Sequence, residues 1–177
     1  YPINVPGGDR RLYDMVVDPF SPEVVYASDL SDIAGGVQKT TNEGASWINC
    51  VLNGYITDEA IRRVAINPKS RNIVYATNDG SGFFKSTNYG LTWQMSNEGM
   101  SNLYISALLF VSTEAGSAIY AGTKNSFTGA NRQSGGIFKS INGGATWECV
   151  YGGSKDNNVF CFAVDPANKS KILAGFN

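Results

Sequence analysis

The phrase TTNEGASW at residues 40–47 returns as STNYGLTW at 86–93 and as SINGGATW at 140–147, with a hydroxyl residue, an Asn, a Gly and a Trp at fixed offsets. Trp47, Trp93 and Trp147 lie 46 and 54 residues apart, so the chain reads as an array of similar pieces. Ahead of each Trp runs a short apolar segment containing Tyr-Ala: VVYAS (24–28), IVYAT (73–77) and AIYAG (118–122), with KILAG (171–175) as a fourth in which Leu173 replaces the Tyr. Before these come DMVVDP (14–19), RVAINP (63–68), SALLFV (106–111) and CFAVDP (161–166), and three of the four close on an Asp-Pro or Asn-Pro turn.

A third apolar run, GGVQKT, SGFFKS or GGIFKS, precedes each octapeptide, and the Trp opens a fourth. Four short strands per repeat, with no helical periodicity between them, predict an all-β fold: a β-propeller of four-stranded antiparallel blades. A solenoid is the alternative. The expected boundaries are 7–54, 55–99 and 100–153 for three blades and 154–177 for the first half of a fourth, with 1–6 as the outer strand of another blade. That is about three and a half blades, an incomplete ring, and it reads as the leading part of a longer propeller.

The octapeptide falls between the third and fourth strands. Asn tolerates left-handed backbone and bonds its own main chain, Gly supplies positive φ, hydroxyls cap free amides, and the Trp is expected to pack beneath the turn. This assigns the phrase to scaffold. It resembles the Asp-box, or bacterial neuraminidase repeat, of sialidases, sortilin-type receptors and propeller glycosidases. Here Asn42, Asn88 and Asn142 stand where that family more often has Asp, which keeps the acceptor oxygen and drops the charge.

Composition removes several functional classes. A net charge of −1, with Lys and Arg scattered singly and in pairs, leaves no basic stripe for nucleic acid and no polybasic patch for a membrane surface. The longest apolar run, around Leu108–Val111, is of buried-strand length and far short of a membrane span, so no membrane insertion is expected. The chain opens at Tyr1 with no signal-like segment, an expectation of a leader that is absent or already removed. With no His, neither a zinc site nor a His-based triad can be assembled, and no metal or other cofactor is expected. Cys50, Cys149 and Cys161 lack CxxC spacing and read as small buried hydrophobes, with room for one disulfide. Only 16% of residues are charged, leaving a surface of Asn, Ser, Thr and Gly that suits an extracellular or cell-surface protein.

Up-and-down strand order puts the Pro turns and the octapeptides on one rim. The functional rim is then the other, made of segments 29–36, 78–82 and 123–136 and of segments 7–11, 53–63, 97–104 and 152–158. Asp9, Asp29, Asp32, Asp58, Glu59, Asp79 and Asp156 fall there with Arg10, Arg11, Arg62, Arg63, Arg132 and Lys155, beside Tyr55, Tyr104 and Phe127. Carboxylates bond sugar hydroxyls and flat rings stack on pyranose faces, so the expected partner is a polysaccharide or oligosaccharide, held by Asp29, Asp79, Arg11 and Phe127.

Residues 4–47 are similar to the opening of the first propeller of glycoside hydrolase family 74, the xyloglucanase-type enzymes. The shared features are a Gly-containing turn, a strand closed by Pro, Tyr-Ala, then Asp-Ile and a Gly-Gly that opens the third strand. The resemblance implies that Asp32 is a catalytic carboxylate of an inverting enzyme, with the partner acid on a second propeller, so that this chain would act only with the remainder of the protein. SDLSDIAGGVQK carries extra residues before Asp-Ile, and Ala34 stands before Gly35-Gly36, so both Asp32 and Asp29 are candidates to face the cleft. Sialidase chemistry is a poorer match because YPINVP lacks the Arg of that family's opening segment. The alternative of a different class is a non-catalytic propeller that binds glycan or a protein partner, sortilin-like or assembly-factor-like.

Overall fold

In a computed structural model of the chain, residues 11–30, 36–50, 61–113, 116–128, 131–152 and 158–177 are described, and every regular element among them is a β-strand. β1 (Arg11–Val17), β2 (Val25–Leu30), β3 (Val37–Thr40) and β4 (Ile48–Cys50) form one antiparallel sheet in chain order. β5 (Ile61–Ile66), β6 (Val74–Asn78), β7 (Gly82–Ser86) and β8 (Gln94–Met95) repeat it. In the third repeat β9 (Ile105–Thr113) and β10 (Gly116–Thr123) are followed by a separate hairpin, β11 (Ser126–Thr128) and β12 (Asn131–Gln133), before β13 (Gly136–Ser140) and β14 (Glu148–Gly152) complete the sheet. β15 (Val159–Val164) and β16 (Ile172–Phe176) pair as a two-stranded sheet. The chain divides into two compact units, 1–95 and 96–177.

Three expectations change. The first strands begin earlier than their apolar runs, so Arg11 and Arg62, assigned to rim loops, belong to strands; Asp29 likewise lies in β2, opposite Leu12. The long 123–136 segment is ordered by its own hairpin. In β9 only Val111 of the run 108–111 is buried, the other three being half-covered.

In the first unit the core lies between its two sheets. Val24, Tyr26, Val37 and Cys50 meet Ile61, Val64, Ile66, Val74, Ala76, Phe84 and Trp93 in one buried cluster. β6 is buried at every residue, whereas β8 and β14 are exposed throughout, as befits a middle strand and edge strands of four-stranded sheets. The cysteines differ from expectation: all three are free, Cys50 is buried, and Cys149 and Cys161 are exposed. Cys149 sits on β14, the last strand of its sheet, which is exposed along its whole length among the described residues.

The octapeptide turn is built alike in all three copies. In the second, Ser86 Oγ accepts from Gly90 N at 2.9 Å and donates to Asn88 Oδ1 at 2.9 Å. Asn88 Oδ1 also accepts from Thr92 N at 2.9 Å, while its Nδ2 donates to Thr92 Oγ1 at 2.8 Å. Thr40, Asn42 and Ser46, and Ser140, Asn142 and Thr146, reproduce these bonds. Gly90 has φ +82°, and a Cβ there would lie 3.3 Å from the Tyr26 ring and 3.4 Å from Cys50 Sγ, so both backbone and packing require glycine. The Trp residues diverge. Trp93 packs under its own turn and donates to Gly90 O at 3.0 Å, whereas Trp147 donates to Ser96 O at 2.8 Å. Trp47 is only half-buried.

Asn88→Asp should leave stability within about 1 kcal/mol, because the Thr92 hydroxyl can donate where the amide did, while Asn88→Ala should cost about 1–2 kcal/mol in urea titration. Burial pushes the Cys50 thiol from 9.0 up to about 11, against the opposing pull of Lys39. The folded state therefore binds the proton more tightly than the unfolded chain, and stability present below pH 9 should fall as pH rises from 9 to 11. Urea midpoints across that window should decline less in Cys50→Ala than in the parent.

Candidate functional site

At the rim opposite the octapeptide turns, each first strand carries a bulge near its start. The pairing register skips one residue in each, Tyr13, Arg62, Ser106 and Phe160. A bulge breaks the strict alternation of faces and re-aims one side chain, and in both units that side chain meets the neighbouring sheet. Arg62 lies over the Tyr13 ring, 4.3 Å from its centroid, and its Nε bonds Asp79 Oδ2 at 2.6 Å. Ser106 Oγ bonds Val159 O at 2.5 Å and Gly122 O at 3.2 Å. Gly122 is needed there, since a Cβ would strike the Val159 side chain.

Among the described residues of the first unit's rim, Tyr13, Arg62 and Asp79 form a polar row. Burial opposes the Arg62 charge, but the hydrogen bond and attraction from Asp79, with a smaller contribution from Tyr13, hold its pKa above the ordinary value. Asp79 is itself nearly covered, at 7% exposure, while Tyr13 remains 37% exposed. Tyr13 and Arg62 thus both keep solvent-exposed surface, with one face of the ring under the guanidinium and the nearly covered carboxylate as its anchor. Asp14, next to the bulge, spends one carboxylate oxygen on Val64 N at 3.1 Å and so joins the two sheets.

In the second unit three asparagines tie the rim segments together. Asn102, 1% exposed, donates to Lys124 O at 2.9 Å and Ser134 O at 3.0 Å, and accepts from Tyr104 N at 2.9 Å. Asn125 accepts from Gly135 N at 2.7 Å and gives its own amide to Asn158 Oδ1 at 2.7 Å. These bonds close the base of the segment bearing the β11–β12 hairpin.

Of the sequence-derived site residues, Asp32 lies outside the described residues. Arg11 pairs with Leu30 and Asp29 with Leu12, so both sit at the rim end of the β1–β2 ladder. Phe127 is in β11, opposite Arg132. Asp79 directly follows β6 and is held in an ion pair with Arg62. Tyr13 was missed, although a usable signal existed: Tyr13, Arg62 and Phe160 each stand six residues before a turn proline, Pro19, Pro68 or Pro166. Among the described residues no group of three or more His, Cys, Asp or Glu could hold a metal ion, and no helix is long and apolar enough to cross a membrane.

No protein-family model matches the chain. It is 26% identical over 166 residues to the xyloglucanase Xgh74A of Acetivibrio thermocellus, covering 80% of this chain and 20% of that protein. Among solved structures, an ancestral GH74 enzyme superposes on 98% of this chain and 22% of its own with a TM-score of 0.73 and 27% identity. The GH74 enzyme of Niastella koreensis covers 90% of this chain and 24% of its own at TM-score 0.71 and 22% identity. The chain thus spans about a fifth of the length of the curated relatives it matches. Its relatives and structural neighbours are GH74 enzymes, and its fold is the β-propeller of four-stranded antiparallel blades, with fewer blades than a full ring.

The Arg62–Asp79 pair yields a test of its own. Arg62→Met should destabilise by about 2 kcal/mol, discounted for the partial exposure of Arg62, because it removes the guanidinium bonded to a nearly buried carboxylate. The double variant Arg62→Met/Asp79→Asn should recover part of that loss, and a double-mutant cycle by chemical denaturation measures the coupling.

Proposed function

We propose that the chain is part of a secreted polysaccharide-acting glycoside hydrolase of the β-glucan or xyloglucan type. The observation that carries the reading is the match of almost the whole chain to a GH74 enzyme at 27% identity. The exposed Tyr13 ring beside the Arg62 guanidinium supports it, since a flat ring and a fixed donor suit a sugar face and its hydroxyls. In this reading the octapeptide turns are Asp-boxes, the blades run 7–54, 55–99 and 100–153 with half a blade at 154–177, and Arg11 and Phe127 contribute to substrate binding, with Asp79 acting through the Arg62 guanidinium it anchors and Asp29 closing the loop after β2.

Asp32 is the general base of an inverting reaction. It takes a proton from a water that attacks the anomeric carbon, while an acid about 6.5–9.5 Å away protonates the departing glycosidic oxygen. That acid belongs to a second propeller, so the 177 residues alone are inactive. Asp29 is the less suitable base by register. It occupies the position of Asn78 and Thr123, both buried, where Asn78 Oδ1 accepts from Ser81 N at 3.1 Å and Thr123 Oγ1 from Gly136 N at 2.9 Å to close the following loop.

In protein carrying both propellers, Asp32→Asn should cut xyloglucan hydrolysis about 10³-fold or more at unchanged Tm. Asp29→Asn should lower Tm and spare most of the activity. Reducing-sugar release measures the first and proton NMR of the nascent anomer checks inversion. Full turnover in Asp32→Asn would remove that residue from the mechanism.

A further inference from the structure

Among the described residues of the first unit, two arginines are ion-paired with nearly covered carboxylates, and they do so by opposite ends. Arg71 gives its terminal Nη2 to Asp18 Oδ2 at 3.2 Å, while its Nε is enclosed and donates to no described residue. Arg62 does the reverse. Its Nε bonds Asp79 Oδ2 at 2.6 Å, and its two terminal nitrogens meet no carboxylate among the described residues. The two side chains are similarly exposed, 39% for Arg71 and 33% for Arg62, so what differs is the edge each one uses. Arg71 spends a terminal nitrogen inside the scaffold, whereas Arg62 keeps its outer edge.

Three features hold that edge in place. Arg62 is the residue skipped by the β5–β6 register, so the bulge directs it off the regular face of the strand. Swinging the guanidinium away would take the countercharge from the nearly buried Asp79. The Tyr13 ring, 4.3 Å from the guanidinium carbon, supports its plane from one side. The neighbouring charges do not use up the outer edge. Arg63 gives its Nη1 to Arg62 O at 3.4 Å and meets no described carboxylate, so the start of β5 carries two guanidinium groups against one carboxylate. On β1 both carboxylate oxygens of Asp14 accept main-chain amides, Met15 N at 3.0 Å and Val64 N at 3.1 Å. A guanidinium fixed in plane with both terminal nitrogens outward matches a planar carboxylate bidentately, whereas a single hydroxyl engages one nitrogen only.

We infer that the outer edge of Arg62 is a subsite for a carboxylate-bearing sugar, a uronic acid residue within the bound glycan. The carboxylate takes the two terminal nitrogens of Arg62, and the exposed Tyr13 beside it offers its hydroxyl to another oxygen of the same sugar. One fork suits one carboxylate on an otherwise neutral chain. An acidic peptide would bring further negative charges against Asp14 and Asp29, which lie on β1 and β2 at the same rim. The bulge position holds Tyr13, Arg62, Ser106 and Phe160 in the four repeats, so the charge that selects the ligand belongs to the second repeat. The inference rests on the reading of this rim as a glycan-binding surface and adds the charge of the glycan.

Titration calorimetry of the full-length protein with a cello-oligosaccharide oxidised at C6, and with its unoxidised parent, isolates the carboxylate. The oxidised ligand should bind about tenfold more tightly at low salt, and the advantage should shrink as salt is added. Arg62→Met should abolish the advantage. Because that variant also loses stability, Arg62→Lys is the second: it can keep the ion pair with Asp79 but has no fork, and should retain an advantage of about threefold at most. The ratio of the two affinities on one sample does not depend on how much of it is folded. Equal affinities in the parent, or an advantage unchanged in Arg62→Met, would overturn the inference and leave the glycan reading standing if xyloglucan is still hydrolysed. Failure of both ligands to bind would overturn it as well, and absence of hydrolysis would then take the glycan reading with it. An acidic peptide of equal charge that binds as tightly as the oxidised sugar would overturn the assignment to a sugar.

Discussion

The bond on which the scaffold depends is the one between a strand-end hydroxyl and the amide of a glycine four residues on, Thr40 to Gly44, Ser86 to Gly90 and Ser140 to Gly144. With the Asn that shares it, this bond forces the chain through positive φ at a set place. In the first unit that fold-back delivers the Tyr89 peptide to Asn72 on one side and to Tyr26 and Lys39 on the other. The turn is thus also an inter-blade joint, with Trp93 and Gly90 packed into the same core as Tyr26 and Cys50. Removing such a bond leaves a buried donor unsatisfied, which is more costly than the bond is favourable.

The opposite rim is organised by a different device. A single extra residue near the start of each first strand turns Tyr13, Arg62, Ser106 and Phe160 out of the alternating pattern. Two of these, Arg62 and Ser106, reach across to the neighbouring sheet within their units. The scaffold rim is held by near-identical bonds in every copy, whereas the bulge position accepts a tyrosine, an arginine, a serine or a phenylalanine. That freedom places chemical variety at the rim where a ligand is proposed to bind.

Much of the fold was legible because its signals are local. A Tyr-Ala strand, an Asp-Pro or Asn-Pro turn and a hydroxyl-Asn-Gly-Trp phrase each depend on residues within one blade, and each appeared where its residues lay. The site was less legible. Arg62 and Asp79 were visible as rim charges, yet nothing in their neighbourhood revealed that they pair, or that Tyr13 lies under the guanidinium, because the partners are 17 and 49 positions from Arg62. The hairpin at 126–133 was hidden for another reason, since its short polar strands carry no apolar alternation and hang on the asparagine bonds at their base.

The amino-acid sequence by itself determined the repeat, the strand order within each blade and the turn that ends each third strand, since those follow from short-range hydrogen bonding and backbone preference. Only the tertiary structure decided which side chains become partners across blades: that Lys39 spends its charge on the Tyr89 carbonyl, and that Arg62, anchored by Asp79, lies over Tyr13. Such pairings depend on how one sheet's face is presented to the next, and a bulge of one residue changes that presentation without leaving a periodic trace in the sequence.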